Sequence, residues 1–128
     1  MNFIDHMRRQ MAFSRVTFGP GERTTGICDH ISKEICEINT DPDGGERSRE
    51  WVDVVILGLD GMWRALLAEG APWDEIPAVI ASRLQEKQAK NEQRDWPDWR
   101  KAPKDRAIEH VREREPCTTC GGNCGQCG

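Results

Sequence analysis

Residues 30–55 read HISKEICEINTDPDGGERSREWVDVV, and this stretch decides the fold. Two segments with helical patterning flank NTDPDGG, whose proline, glycines and turn-forming polar residues interrupt the chain between them. Two helices joined by a short turn run antiparallel and place their facing side chains next to one another. The stretch therefore predicts a helical hairpin at the centre of the structure.

Four acidic residues lie in this hairpin as two pairs with a spacing of three, Glu34 with Glu37 before the turn and Glu50 with Asp53 after it. Residues three apart share a helix face, and one such pair usually does no more than solvate a helix. Two pairs that flank one turn favour a metal site, because four carboxylates brought together repel one another unless cations neutralise them. Hard divalent cations that take oxygen ligands, Mg²⁺ or Mn²⁺, suit such a group.

Helical patterns cover most of the chain. Apolar spacing predicts four main helices and a short, mostly charged final one, over residues 3–16, 25–39, 46–69, 74–92 and 107–115. No period-two strand pattern occurs in the sequence. We therefore expect an all-α fold, a four-helix bundle of antiparallel helices followed by a short C-terminal helix and a cysteine-rich tail. Gly58 and Gly61, inside the third helix, are expected to allow close packing of a neighbouring helix.

The composition describes a small soluble domain. The chain has 128 residues, of which 37% are hydrophobic and 31% charged, with a net charge of −4 spread in mixed sign. This length suffices for one hydrophobic core but not two. The longest apolar run, VVILGL, is far shorter than the roughly 20 residues of a membrane span. We expect a cytoplasmic protein that binds neither nucleic acid nor membrane, with one domain over residues 1–115 and a separate tail over 116–128.

The tail carries four of the six cysteines in the pattern C-x2-C-x3-C-x2-C, formed by Cys117, Cys120, Cys124 and Cys127. Each C-x2-C has the span that binds zinc in small zinc modules, but such modules usually separate the two pairs by more than three residues. The pattern leaves two interpretations open, a small Zn²⁺ knuckle and a metal-free tail.

The acidic pattern, ExxE and ExxD separated by twelve residues, resembles the metal-binding signature of the all-α nucleoside triphosphate pyrophosphohydrolases, the MazG-like group. Four longer segments together resemble the phage-associated dATP/dGTP diphosphohydrolases, the MazZ-like family: SRVTFGPGERTTGICDHISKEICEI, EWVDVVILGLDGMWRA, KQAKNEQRDWPDWR and AIEHVR. This resemblance covers about residues 12–112.

The resemblance implies an enzyme that converts dGTP or dATP to the monophosphate and pyrophosphate by attack at the α-phosphorus, and that forms a homodimer or homotetramer. It implies that two or three Mg²⁺ or Mn²⁺ ions are held by the catalytic residues Glu34, Glu37, Glu50 and Asp53. In a phage, such an enzyme would remodel the nucleotide pool. The alternatives are a house-cleaning pyrophosphohydrolase that acts on other or non-standard nucleoside triphosphates, and a helical binding module without catalytic activity.

Basic side chains are expected to approach the triphosphate, because metals alone do not hold it. Lys87, Asn91 and Arg94 follow one another at spacings of four and three, and the resembled group has phosphate-contacting Lys and Asn or Arg residues on this helix. Arg23 precedes a helix N-terminus, where anions are favoured. Asp60, on the third helix, is a further candidate for a substrate contact.

A purine base needs an apolar or stacking wall, for which Phe13, Phe18 and Trp51 are candidates, with core packing as the alternative for each. His30 lies close in sequence to the acidic residues. A helix-packing or solvated role is expected for it, because a metal-activated water does not require a histidine base.

Overall fold

The computed structural model describes residues 1–40 and 47–112. These residues form four α-helices and a 3₁₀ turn at Trp73–Glu75: α1 Phe3–Phe18, α2 Thr24–Thr40, α3 Arg47–Ala68 and α4 Ile76–Gln93. No strand occurs in either described range. The predicted all-α architecture is confirmed, and the predicted ends of the four main helices agree with the structure to within about two residues.

The chain divides into two compact units, Met1–Gln85 and Glu86–Gly128. The four tail cysteines lie outside the described residues, so the zinc knuckle and the domain boundary at residue 115 stay predictions. Among the described helices, none combines the length and the apolar character that crossing a membrane requires.

The hydrophobic core of the first unit joins α1, α3 and the beginning of α4. Met7, Met11, Trp63, Ile76 and Ile80 are at most 1% exposed. Met7 and Met11 are four residues apart and therefore share the face of α1 that meets this core. Burial of each large apolar side chain stabilises the fold by about 1.5–3 kcal/mol, so this cluster anchors α1 and α4 against α3.

α2 and α3 form the predicted hairpin. Glu34, late in α2, lies near Asp53, early in α3, whereas Ile27 at the start of α2 lines a cavity together with Leu57. A later residue of α2 thus lies near an earlier residue of α3, and an earlier residue of α2 lies near a later one of α3. The two helices therefore run antiparallel. This packing brings both acidic pairs to the same end of the hairpin.

The apolar stripes of the helices are less buried than their patterns predict. In α2 Ile38 is buried but Ile35 is 45% exposed, and in α3 both Val52 and Val55 are more than half exposed. In α4 Leu84 is 46% exposed. The periodicity identifies the apolar helix faces correctly, but one copy of the chain covers only part of them.

The prediction of a final helix is wrong for residues 107–112, which the structure shows as irregular chain. There the amide of Val111 donates to the carbonyl of Asp95 at 2.8 Å, and the ring of His110 meets that of Trp96 edge to face at 5.8 Å. A helix this short gains little stability by itself in water. Contacts with the preceding loop therefore prevail over the helical pattern.

Close helix packing at Gly58 and Gly61 is also not found. A Cβ atom built at either position would meet no other atom within 4 Å among the described residues. We expect Gly58→Ala to raise the free energy of unfolding by about 0.5–1 kcal/mol, because alanine favours the helix and restricts the unfolded chain. Urea denaturation measures this change.

Gly19→Ala provides the contrast for this experiment. Gly19 has a φ of +90°, which strains any residue with a side chain, so its replacement should destabilise the protein. A Gly58→Ala protein that is less stable than the wild type would show that this face of α3 is not open.

Candidate metal centre and nucleotide site

Three of the four predicted carboxylates meet across the α2–α3 hairpin. Glu34, Glu50 and Asp53 each place one carboxylate oxygen within 4.8 Å of the other two. Glu37 reaches the same cluster through Glu50, with which its side chain shares a hydrogen bond. The structure thus brings together the two acidic pairs that are separated by twelve residues in the sequence.

The surroundings of the cluster disfavour the ionised form of Glu50. The pKa of Glu50 is raised, first by partial burial and then by the hydrogen bond and charge of Glu37 and the charges of Glu34 and Asp53. Burial and neighbouring negative charges both penalise an ionised carboxylate. A cation placed among these groups would reverse the electrostatic part of this penalty.

Glu34 has one carboxylate oxygen that is buried and unsatisfied among the described residues. Its side chain is 12% exposed, and its Oε1 lies 3.3 Å from Nε2 of His30. Its Oε2 is buried and has no hydrogen-bond partner among the described residues. A buried carboxylate oxygen without a partner is costly, and a bound cation would satisfy it. Three converging carboxylates, one of which has an orphaned oxygen, fit a hard divalent cation.

A cavity of about 180 Å³ adjoins the acidic cluster, with Glu34 and Asp53 on its wall. Phe13 and Phe18, two of the three candidates for a purine wall, also line it and contact one another edge to face at 6.3 Å. Trp51 does not line this cavity and is 54% exposed. Sites for small molecules usually enclose about 300–1,000 Å³, so the cavity has room for part of a nucleotide.

A buried polar network joins α1 to α3 at the cavity wall. Oδ1 of Asp60 accepts hydrogen bonds from Nε2 of Gln10 at 3.2 Å and from Nε1 of Trp63 at 2.8 Å. Its Oδ2 accepts from Oγ of Ser14 at 2.5 Å. Both oxygens of Asp60 are therefore engaged inside the protein, which gives this residue a structural role. Its contact with substrate stays a prediction.

Arg64 extends this network and was not singled out by the sequence analysis. Its side chain is 1% exposed, and Nη1 donates to the carbonyls of Gly19 at 2.8 Å and Gly21 at 2.7 Å. Burial lowers the pKa of Arg64, the charge of Asp60 opposes this shift, and Arg23 adds to it. Arg64 thus fixes the α1–α2 connection. In the sequence, Arg64 is indicated only by its spacing of four from Asp60, because oppositely charged residues four apart on a helix are neighbours.

Arg23 lies on that connection, directly before α2. Its guanidinium is 5.9 Å from the ring centre of Phe18. Gly26 makes room for it, because a Cβ there would come within 3.1 Å of Arg23 Nη2. Arg23 and His30 line a second cavity of about 150 Å³.

Comparison with protein families decides the identity. A family model described as dATP/dGTP pyrophosphohydrolase matches residues 6–114. The chain belongs to this family. It is therefore a nucleoside triphosphate pyrophosphohydrolase, and the resemblance of the sequence to dATP/dGTP diphosphohydrolases is confirmed. Comparisons with curated proteins and with solved structures give no significant match.

Three of the residues predicted to contact phosphate in this pyrophosphohydrolase, Lys87, Asn91 and Arg94, belong to the second unit. Lys87 and Asn91 lie in the last turns of α4, and Arg94 follows its end, with Nη1 3.4 Å from Oδ1 of Asn91. Nε1 of Trp96 donates to the carbonyl of Asn91 at 2.7 Å. Lys87 and Asn91 thus lie on α4 and Arg94 directly after it, and the contact of these residues with phosphate stays a prediction.

Positively charged side chains of the second unit affect the pKa of His110. Its pKa is lowered by partial burial first, and then by the positive charges of Arg94, Arg112 and Lys87, against a weaker effect of Glu109. Sequence analysis did not single out His110, because residues distant along the chain produce the effect. The pyrophosphohydrolase therefore gathers basic groups here.

We expect Arg94→Gln to raise the pKa of His110 towards the ordinary 6.5, because one repelling charge is removed. Since the folded-state pKa of His110 is lowered, its contribution to stability is present above pH 6.5 and is lost as the pH falls below that value. NMR titration of the imidazole measures the pKa. Lys101→Gln is the control that should leave it unchanged, and a wild-type pKa above 6.5 would contradict the arrangement.

Proposed function

We propose that this pyrophosphohydrolase hydrolyses purine deoxynucleoside triphosphates, dGTP or dATP, to the monophosphate and pyrophosphate in a metal-dependent reaction. The observation that carries the proposal is the convergence of Glu34, Glu50 and Asp53 across one helical hairpin in a chain of this family. Carboxylates collected in this way suit a substrate that binds through divalent cations.

In this proposal Glu34, Glu37, Glu50 and Asp53 hold two or three Mg²⁺ or Mn²⁺ ions. The chemistry supplied by bound divalent cations would be activation of a water and neutralisation of charge on the attacking and leaving oxygens. The water oxygen forms a bond to the α-phosphorus, the bond from this phosphorus to the bridging oxygen breaks, and pyrophosphate leaves. One proton is released, and the nucleoside monophosphate retains the water oxygen.

The purine base is proposed to lie in the cavity beside the acidic cluster. Phe13 and Phe18 supply an aromatic wall there, and Ile56 and Leu57 add apolar surface. Aromatic and aliphatic walls bind a base by stacking and exclusion of water. The cavity adjoins Glu34 and Asp53, which supports a triphosphate that extends from it over the carboxylates.

Lys87, Asn91, Arg94 and Arg23 are proposed to contact the phosphates. The support for Lys87 and Arg94 is their positive charge, which contributes to lowering the pKa of His110. Asn91 is included because its Oδ1 lies 3.4 Å from Nη1 of Arg94. Arg23 lies beside Phe18, which lines the proposed base cavity. A guanidinium offers two parallel donors to phosphate oxygens, whereas an ammonium acts as a point charge.

The chain is further proposed to work as a homodimer or homotetramer in the cytoplasm, where it would act on the deoxynucleotide pool of a phage-infected cell. The exposed apolar face of α3 supports the assembly, because Trp51, Val52 and Val55 are each more than half exposed in one copy. Such a face is usually covered by a partner surface.

The substrate is tested by incubating the purified chain with each deoxynucleoside and ribonucleoside triphosphate and Mg²⁺, and measuring monophosphate and pyrophosphate. The proposal expects turnover of dGTP or dATP in preference to the pyrimidine nucleotides. Preferred turnover of non-standard nucleotides would instead indicate a house-cleaning enzyme. No turnover of any triphosphate would contradict the proposal and favour a binding module.

A further inference from the structure

His30 occupies a position that the metal centre alone does not explain. It lies one turn before Glu34 on α2, and its Nε2 is 3.3 Å from Oε1 of Glu34. It also lines the cavity beside the cluster together with Glu34 and Asp53. His30 is not among the three residues whose ligand atoms converge. It therefore contacts one proposed metal ligand without belonging to the convergent set.

The two oxygens of Glu34 have different surroundings. Oε1 is engaged by the imidazole, whereas Oε2 is buried with no hydrogen-bond partner among the described residues. A glutamate side chain has three rotatable bonds, and a bond to one carboxylate oxygen selects among its rotamers. The contact with His30 leaves the other oxygen available for a ligand.

The neighbouring negative charges make this restraint important. One oxygen of Glu34 lies within 4.8 Å of oxygens of Glu50 and Asp53. Before a cation binds, repulsion from these carboxylates would turn the Glu34 side chain away from the cluster. An N–H donor at Oε1 of Glu34 offsets part of that repulsion and restrains the side chain.

From these contacts we infer that His30 is a positioning residue for the metal centre, and that it holds Glu34 through Oε1 so that Oε2 faces the cation. The inference rests on the proposed metal centre and assigns no contact between His30 and substrate. Partners of this kind typically affect metal affinity by 10–100-fold. Because the imidazole of His30 is 53% exposed, we expect an effect at the lower end, about tenfold.

The test is the affinity of the nucleotide-free chain for Mn²⁺, measured by electron paramagnetic resonance of the unbound ion, so that catalysis is not involved. His30→Ala should weaken Mn²⁺ binding about tenfold. His30→Gln should recover most of the affinity, because its amide N–H can donate to the same carboxylate. Lys33→Ala is the matched control, since it removes an exposed pair of the same spacing, Lys33 with Asp29 at 3.3 Å, and should bind Mn²⁺ like the wild type.

Three results would overturn the inference. A folded His30→Ala protein with wild-type Mn²⁺ affinity would show that Glu34 needs no partner. Equal weakening by His30→Ala and His30→Gln would show that the ring itself, and not a hydrogen bond to Glu34, supports binding. If the wild type bound no Mn²⁺, the metal centre would be contradicted together with the role of His30. Mn²⁺ binding without turnover of any triphosphate would contradict the proposed reaction alone.

Discussion

Glu34→Gln is expected to lower kcat/KM for the preferred purine deoxynucleoside triphosphate by about 10³-fold. Glutamine keeps the size of the side chain and removes the negative charge from Glu34, which is 12% exposed and whose Oε2 has no partner among the described residues. Metal ions contribute several kcal/mol of transition-state stabilisation, and about 4 kcal/mol corresponds to about 10³ in rate. Initial rates of pyrophosphate release over a range of Mg²⁺ concentrations measure the loss.

Asp29→Asn is the matched control for this variant. Asp29 lies on the same helix and pairs with Lys33 at the surface, where its side chain is 68% exposed. Its replacement removes one negative charge from α2 and should leave kcat/KM nearly unchanged, because exposed pairs contribute little. If both variants kept wild-type turnover, the acidic cluster would not be the catalytic centre.

Arg64→Met is expected to lower the free energy of unfolding by about 3–5 kcal/mol, the usual cost of removing one partner of a buried ion pair. The substitution keeps an apolar stem of similar length. It leaves the carboxylate of Asp60, which is 7% exposed, without its positive neighbour. It also removes the donors to the carbonyls of Gly19 and Gly21. Urea denaturation followed by circular dichroism measures the change.

Arg8→Met is the control for Arg64→Met, because it also removes one positive charge but does so at the protein surface. Arg8 pairs with Asp5 at 3.8 Å, and its side chain is 65% exposed, so its replacement should change stability by less than about 1 kcal/mol. Similar stability of the two variants would mean that Arg64 does not hold α1 and its connection against α3.

The sequence predicts the helices and the acidic site well, because both depend on local spacing. Periodicity places the ends of the four main helices, and the Pro-Gly turn in residues 41–45 predicts the hairpin that joins Glu34 to Glu50 and Asp53. A spacing of three fixes which side chains share a helix face whatever the tertiary structure is. The convergence of Glu34, Glu50 and Asp53 is therefore predictable from the sequence.

Other features depend on contacts between segments that are far apart in the chain. The network of Gln10, Ser14, Asp60 and Arg64 links positions more than forty residues apart. Local spacing indicates only the Asp60–Arg64 pair within it. The irregular chain at 107–112 and the open surface at Gly58 likewise result from tertiary packing, which overrides local propensity. The contact of His30 with Glu34 has the local spacing of four, but only the structure shows which oxygen it leaves unpaired.

Water labelled with ¹⁸O tests the central claim most directly. The chain is incubated with dGTP or dATP and Mg²⁺ in labelled water, and the products are separated and analysed by mass spectrometry. Attack at the α-phosphorus predicts one ¹⁸O atom in the nucleoside monophosphate and none in pyrophosphate, with no reaction when EDTA removes the metal. Label in pyrophosphate or in inorganic phosphate, or turnover that persists in EDTA, would contradict the account.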